Sequence, residues 1–197
     1  MKRGLFRGVP WPPLLCMTAG GGTLLGVAAA VPSSWLGVRL IGVGFALLAA
    51  AAAFVFDEPG AAVVDAAPYS LKVRNLVRAS VVAAPLAVSA LALALMRLSD
   101  ASTPFGRLCL QAVGLIVVSV AAAATVRRFR ATPGELVGST IALVVVGLSV
   151  ADPFARWVPL LPLSADDHWG RTSATWSVAI AAGLLVLLRA SRDRLDA

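Results

Sequence analysis

Six long apolar stretches, none containing aspartate or glutamate, constrain this chain more than any other feature. They cover residues 14–31, 35–56, 76–96, 108–126, 136–151 and 173–188. An α-helix needs roughly 17–25 such residues to cross the hydrocarbon core of a bilayer. Each stretch is near that length. Only 14% of the residues are charged, against about 25% in soluble domains, too few to cover a water-facing surface. Alternation at the 3.6-residue period is almost absent, which sets aside a soluble bundle of amphipathic helices. The expected fold is all-α, a polytopic membrane protein with six transmembrane helices.

Charge then sets the expected orientation. Twelve basic residues fall in the N-terminal tail (Lys2, Arg3, Arg7), the second loop (Lys72, Arg74, Arg78), the fourth loop (Arg127, Arg128, Arg130) and the C-terminal tail (Arg189, Arg192, Arg194). The other side holds five: Arg39, Arg97, Arg107, Arg156 and Arg171. Cytoplasmic loops carry the excess of Lys and Arg, so both termini are expected in the cytoplasm, as an even number of spans requires. The net charge of +7 then reflects loops that touch anionic lipid rather than nucleic acid. Trp35, Trp157, Trp169 and Trp176 fall at or near the expected outer face, where indole favours the headgroup boundary. The run after Lys2 and Arg3 is expected to stay as a spanning helix and not to be removed as a leader. No lipobox precedes Cys16, because Leu15 stands where a small residue is needed. Cys16 and Cys109 read as small buried hydrophobes.

Between and within the spans, local signals predict finer features. Residues 1–13 form an expected interfacial segment, in which Met1 to Trp11 suit a short helix broken by Pro10, Pro12 and Pro13 before the first span. Gly22 and Gly26 form a GxxxG motif, extended by Ala30, that permits close helix approach. Pro85 is expected to kink the third span. The loop at 57–75 opens with Asp57, Glu58 and Pro59, continues through Gly60, Val63, Val64 and Asp65, and reaches a second proline at Pro68. Acids and proline at a helix start complement the dipole and the unpaired N–H groups there, so a short helix is predicted over 60–67. Pro153, Pro159 and Pro162 forbid a long helix over 152–172, yet that segment is too apolar for an open loop. A re-entrant hairpin on the outer face fits it. A transmembrane domain over 14–190 and a cytoplasmic tail at 191–197 complete the expected layout.

Catalytic signals are nearly absent. His168 is the sole histidine, which removes zincin-type and histidine-rich metal sites. Asp166, Asp167 and His168 read as solvated residues of an outer loop. No GxxxxGK[ST] occurs, so this chain lacks the P-loop for ATP hydrolysis. Gly20, Gly21 and Gly22 lie inside a span, and Ser139 after Gly138 forms no GxSxG. No catalytic, cofactor-binding or metal-binding residue is expected on the chain, which does not read as an enzyme. The spans also lack the buried acids that ion-coupled carriers place near the midplane.

The six-span layout, the loop at 57–68 between spans two and three, and the broken segment before the last span resemble the membrane (permease) subunit of a bacterial ABC exporter. Gly60 departs from the alanine expected in that family. The resemblance implies that Asp57, Glu58, Pro59, Gly60, Val63, Val64 and Asp65 form a coupling loop pressing on a separate P-loop ATPase. ATP and Mg would bind that ATPase and not this chain. It further implies a second membrane subunit, identical or related, in the cell membrane, with the transport path between the two. Membrane lipid is the remaining partner, and nucleic acid is not one. A non-transporting scaffold or regulatory membrane subunit of a larger complex is the competing reading, and a small channel or uncoupled carrier is a third.

Overall fold

A computed structural model of the protein describes residues 10–31, 35–57, 78, 80–100, 104–150 and 169–190. These form six α-helices: α1 (Trp11–Ala30), α2 (Trp35–Phe54), α3 (Ala83–Ser99), α4 (Phe105–Val126), α5 (Pro133–Val150) and α6 (Trp169–Ala190). A 3₁₀ turn, Ser80–Val82, leads into α3. Four segments are long and apolar enough to cross a membrane: Trp11–Ala30, Ser80–Ser99, Phe105–Val126 and Gly170–Ala190. Shorter apolar segments, Arg39–Phe54 and Pro133–Leu148, come from α2 and α5. Large apolar side chains stand on the outside, among them Leu98 at 84% exposure, Leu143 at 75% and Val178 at 68%. A water-soluble monomer does not present patches of this extent. The chain is a multi-pass membrane protein.

Hydroxyls on the outer faces agree with that surrounding. Thr23 donates to the Ala19 carbonyl, Ser139 to Glu135 and Thr140 to Leu136. A polar group turned back onto its own helix presents no unmet donor to lipid.

The helices are arranged around α2, which packs against α1, α3, α4 and α5. Ala46, Leu48 and the alanines from Ala49 to Ala53 are all at most 1% exposed. Lipid tails are as apolar as these side chains, so close packing rather than the hydrophobic effect holds such helices together, and small residues allow it. Ser119 of α4 donates to the Ala49 carbonyl of α2 at 2.5 Å and ties the two interiors. Contacts near helix ends fix the directions. Ser99 of α3 donates to Ala29 of α1, and Arg128 beyond α4 donates to the Arg189 carbonyl of α6. The C-terminal ends of α2, α4 and α6 thus share one end of the bundle with the start of α5. The C-terminal ends of α1 and α3 lie at the other.

Several local expectations change. The first helix begins at Trp11 rather than Leu14, so the prolines at 12 and 13 sit inside its first turn. First-turn N–H groups have no intrahelical partner, so proline loses nothing there. Pro85 lies in the first turn of α3, directly after the 3₁₀ turn at Ser80–Val82. Cys16 faces outward and Cys109 is half-buried; both are free thiols. Trp176 is buried in the bundle at 8% exposure, its ring over Gly114 of α4.

The close approach of α1 to α2 runs through Gly21 and Gly44. A Cβ on Gly21 would lie 2.9 Å from the Gly44 carbonyl oxygen, and one on Gly44 would lie 2.7 Å from Leu25 Cγ. Gly22 faces Val88 of α3, at 3.0 Å from a built Cβ, while Gly26 has nothing within 4 Å and Ala30 is exposed. Gly26→Leu is therefore expected to lower the stability of the detergent-solubilised chain by no more than about 0.5 kcal/mol. A larger loss would mean that the outward face of α1 is covered.

Candidate functional site

The best-built polar site lies where α2 ends. Its last turn closes through Phe56 N–H to Ala53 and Asp57 N–H to Phe54, both 3.1 Å. Val55 and Phe56 are fully buried, which draws Asp57 inward until it is only 5% exposed. Its carboxylate accepts a hydrogen bond from the backbone N–H of Gly134 at 2.5 Å. Gly134 is the second residue of α5, so Asp57 caps that helix from 77 positions away. The N-terminus of a helix carries unpaired N–H groups and a partial positive charge, and a carboxylate satisfies both.

Only glycine fits at position 134. A Cβ there would stand 2.6 Å from Phe54 Cα and 2.9 Å from each Asp57 carboxylate oxygen. Arg78, 4% exposed, closes the other side and donates from Nη1 to the Phe56 carbonyl at 3.4 Å. Burial pushes the Asp57 carboxyl above its ordinary range, and Glu135 adds to that. The Gly134 N–H and the Arg78 charge oppose the rise, in that order of strength. The group is a capping acceptor that fastens the end of α2 to the start of α5. Among the described residues no group of three His, Cys, Asp or Glu side chains could hold a metal ion.

The structure thus fastens the first residue of the expected coupling loop, Asp57, to α5 and sets Arg78 beside it. Glu58, Pro59, Gly60, Val63, Val64 and Asp65 lie outside the described residues, as do the expected N-terminal interfacial helix, the helix at 60–67, Asp166, Asp167 and His168. Gly22, Gly26 and Ala30 line no part of this site. Reading the sequence alone missed Gly134 and Glu135. The Thr132-Pro133-Gly134-Glu135 run marks a helix start by its proline and acid, but nothing local names Asp57 as the acceptor.

Compared with known proteins, the chain matches no protein family, no curated protein and no solved structure.

Proposed function

We propose that this chain is the permease subunit of an ATP-driven ABC exporter, with both termini and all the strongly basic loops in the cytoplasm and six spans in the cell membrane. It forms half of the pathway and couples to a separate P-loop ATPase through the loop after α2. ATP and Mg bind that ATPase. The observation that carries the reading is the anchorage of the loop. Asp57 holds the start of α5, and Arg78 holds the Phe56 carbonyl in the turn that closes α2. A push on the loop from below therefore reaches two helices at once, instead of being absorbed by a slack connector. The centre of the single chain is filled by the buried alanines of α2, so the path runs between this chain and a second membrane subunit.

Val63→Asp with Val64→Asp is expected to abolish stimulation of the partner's ATP turnover in reconstituted vesicles, while the melting temperature of the membrane chain stays within about 1 °C. The partner is found by co-purification as a chain with a P-loop. Should the tagged protein bring down a membrane complex without any ATPase, the scaffold reading replaces this one.

A further inference from the structure

We infer that the turn between α4 and α5 is a binding site for an anionic phospholipid, with Phe129 seated below the headgroup and Arg130 on its phosphate. Helix α4 ends at Val126 and α5 begins at Pro133, which leaves residues 127–132 as the connection. Its backbone is closed. Arg128 N–H donates to the Thr125 carbonyl, and the N–H groups of Phe129 and Arg130 both donate to that of Val126. Both ends of the connection are fastened, by Arg128 to the Arg189 carbonyl of α6 at 2.7 Å and by Asp57 to Gly134. The turn so held presents the Phe129 ring outward, 80% exposed. Two charges flank the ring. Arg130 is exposed and pairs with no acid among the described residues. Arg128 is exposed too, and its carbonyl partner leaves its charge in place. Arg127 has other partners and takes no part. Glu135 is the one acid between 127 and 135, and the helix start that it occupies answers its charge. A guanidinium without an acid beside it is a planar fork that matches phosphate oxygens.

Depth selects lipid over a soluble partner. The candidate span Phe105–Val126 ends at this turn and the apolar segment Pro133–Leu148 begins at it. A connection this short, going out and back, stays within about 10 Å of the hydrocarbon edge, in or beside the headgroup layer. Aromatic rings and arginine both settle at that depth, the ring toward the tails and the guanidinium toward the phosphates. Free phosphate would gain Arg130 and leave the Phe129 ring in water. A zwitterionic lipid carries a cation that offsets its own phosphate, so the flanking charges favour an anionic one. This inference needs only that the chain crosses a membrane, and it stands apart from the transport reading.

The test is native mass spectrometry of the detergent-solubilised protein titrated with phosphatidylglycerol and, separately, with phosphatidylcholine. Wild type should prefer phosphatidylglycerol. Arg130→Gln is expected to weaken that lipid about fivefold, the factor for one basic residue at an anionic surface, and to leave phosphatidylcholine unchanged. Phe129→Ala should weaken both lipids, because it removes contact with the tails. Arg171→Gln, which removes an exposed charge at the opposite end of the bundle, should bind as wild type does. Inorganic phosphate at millimolar concentration should not displace the lipid. Depth is read separately. A nitroxide on Phe129→Cys, in a chain with Cys16→Ala and Cys109→Ala and in phosphatidylglycerol nanodiscs, should be more accessible to oxygen than to a water-soluble nickel chelate. Equal preference in wild type and Arg130→Gln overturns the headgroup site, and displacement by inorganic phosphate overturns the assignment to lipid. A nitroxide that meets nickel more than oxygen overturns the seating of Phe129 and leaves the turn to a soluble partner.

Discussion

Gly114→Leu is expected to unseat α6 from the bundle and to destabilise the detergent-solubilised protein by about 3 kcal/mol, the upper range for forcing extra atoms into a packed interior. A Cβ on Gly114 would collide with Trp176 Cε3 and lie 3.1 Å from Cζ3. Real atoms do not approach so closely, and the indole has nowhere to retreat, since it is 8% exposed. The second notch of the same interface leaves no slack, because a Cβ on Gly183 would meet Val117 Cγ1 at 2.8 Å. Helix α6 rests almost wholly on α4, so losing this fit loses the helix. Scanning fluorimetry reads the midpoint, and limited proteolysis reads the loosened helix. Gly114→Ala combined with Trp176→Leu should cost less than the two single changes added together, because the smaller side chain vacates the clash. A Gly114→Leu protein that melts with wild type would show that α6 is held by something else.

The same interface explains what a reading of one helix at a time could and could not reach. Apolar length placed all six helices, because a bilayer sets that length and little else satisfies a backbone in lipid. Some ends ran further than the apolar cores, while α2 stops at Phe54, short of the expected 56. Helix α1 begins at Trp11 and α6 at Trp169, since the backbone goes on pairing after the side chains turn polar. Packing partners were harder. Gly20, Gly21 and Gly22 put a notch on nearly every side of α1, and the spacing of Gly22 and Gly26 marks only one of them. The notch that α2 enters belongs to Gly21, and the choice is made by Gly44, Leu25 and Leu48 on both sides of the contact. Trp176 reads as an interfacial anchor by its distance from the end of a span. It is a core residue because Gly114, on another helix, leaves a space for its ring. Asp57 was legible as the acid that opens the loop after α2. Its function as a cap was not, because hydrogen-bond partners separated by 77 residues leave no mark in local pattern.

Asp57→Ala is expected to cost about 2–3 kcal/mol, the penalty for a buried N–H left without an acceptor together with a lost helix cap. The Gly134 N–H would face the void, and buried Arg78 would lose an opposing charge. Asp57→Asn keeps an oxygen for Gly134 and sheds the repulsion from Glu135 while losing the attraction of Arg78, so it should stay within about 1 kcal/mol of wild type at neutral pH. The two variants also separate by pH. Because burial holds the folded carboxyl above its ordinary 3.8, the folded chain binds more protons than the unfolded one between that value and the raised one. Stability attributable to this group therefore falls as pH rises through that window, and is recovered as pH drops back through it. Wild type should gain on Asp57→Asn as pH is lowered from neutral toward 4, and the difference between the two melting curves isolates the carboxyl from every other titration. A flat difference would mean that Asp57 meets water and caps nothing. A sloping one, joined to a folded Asp57→Asn protein, would place the fastening of α2 to α5 in the hydrogen bond to Gly134 rather than in the charge.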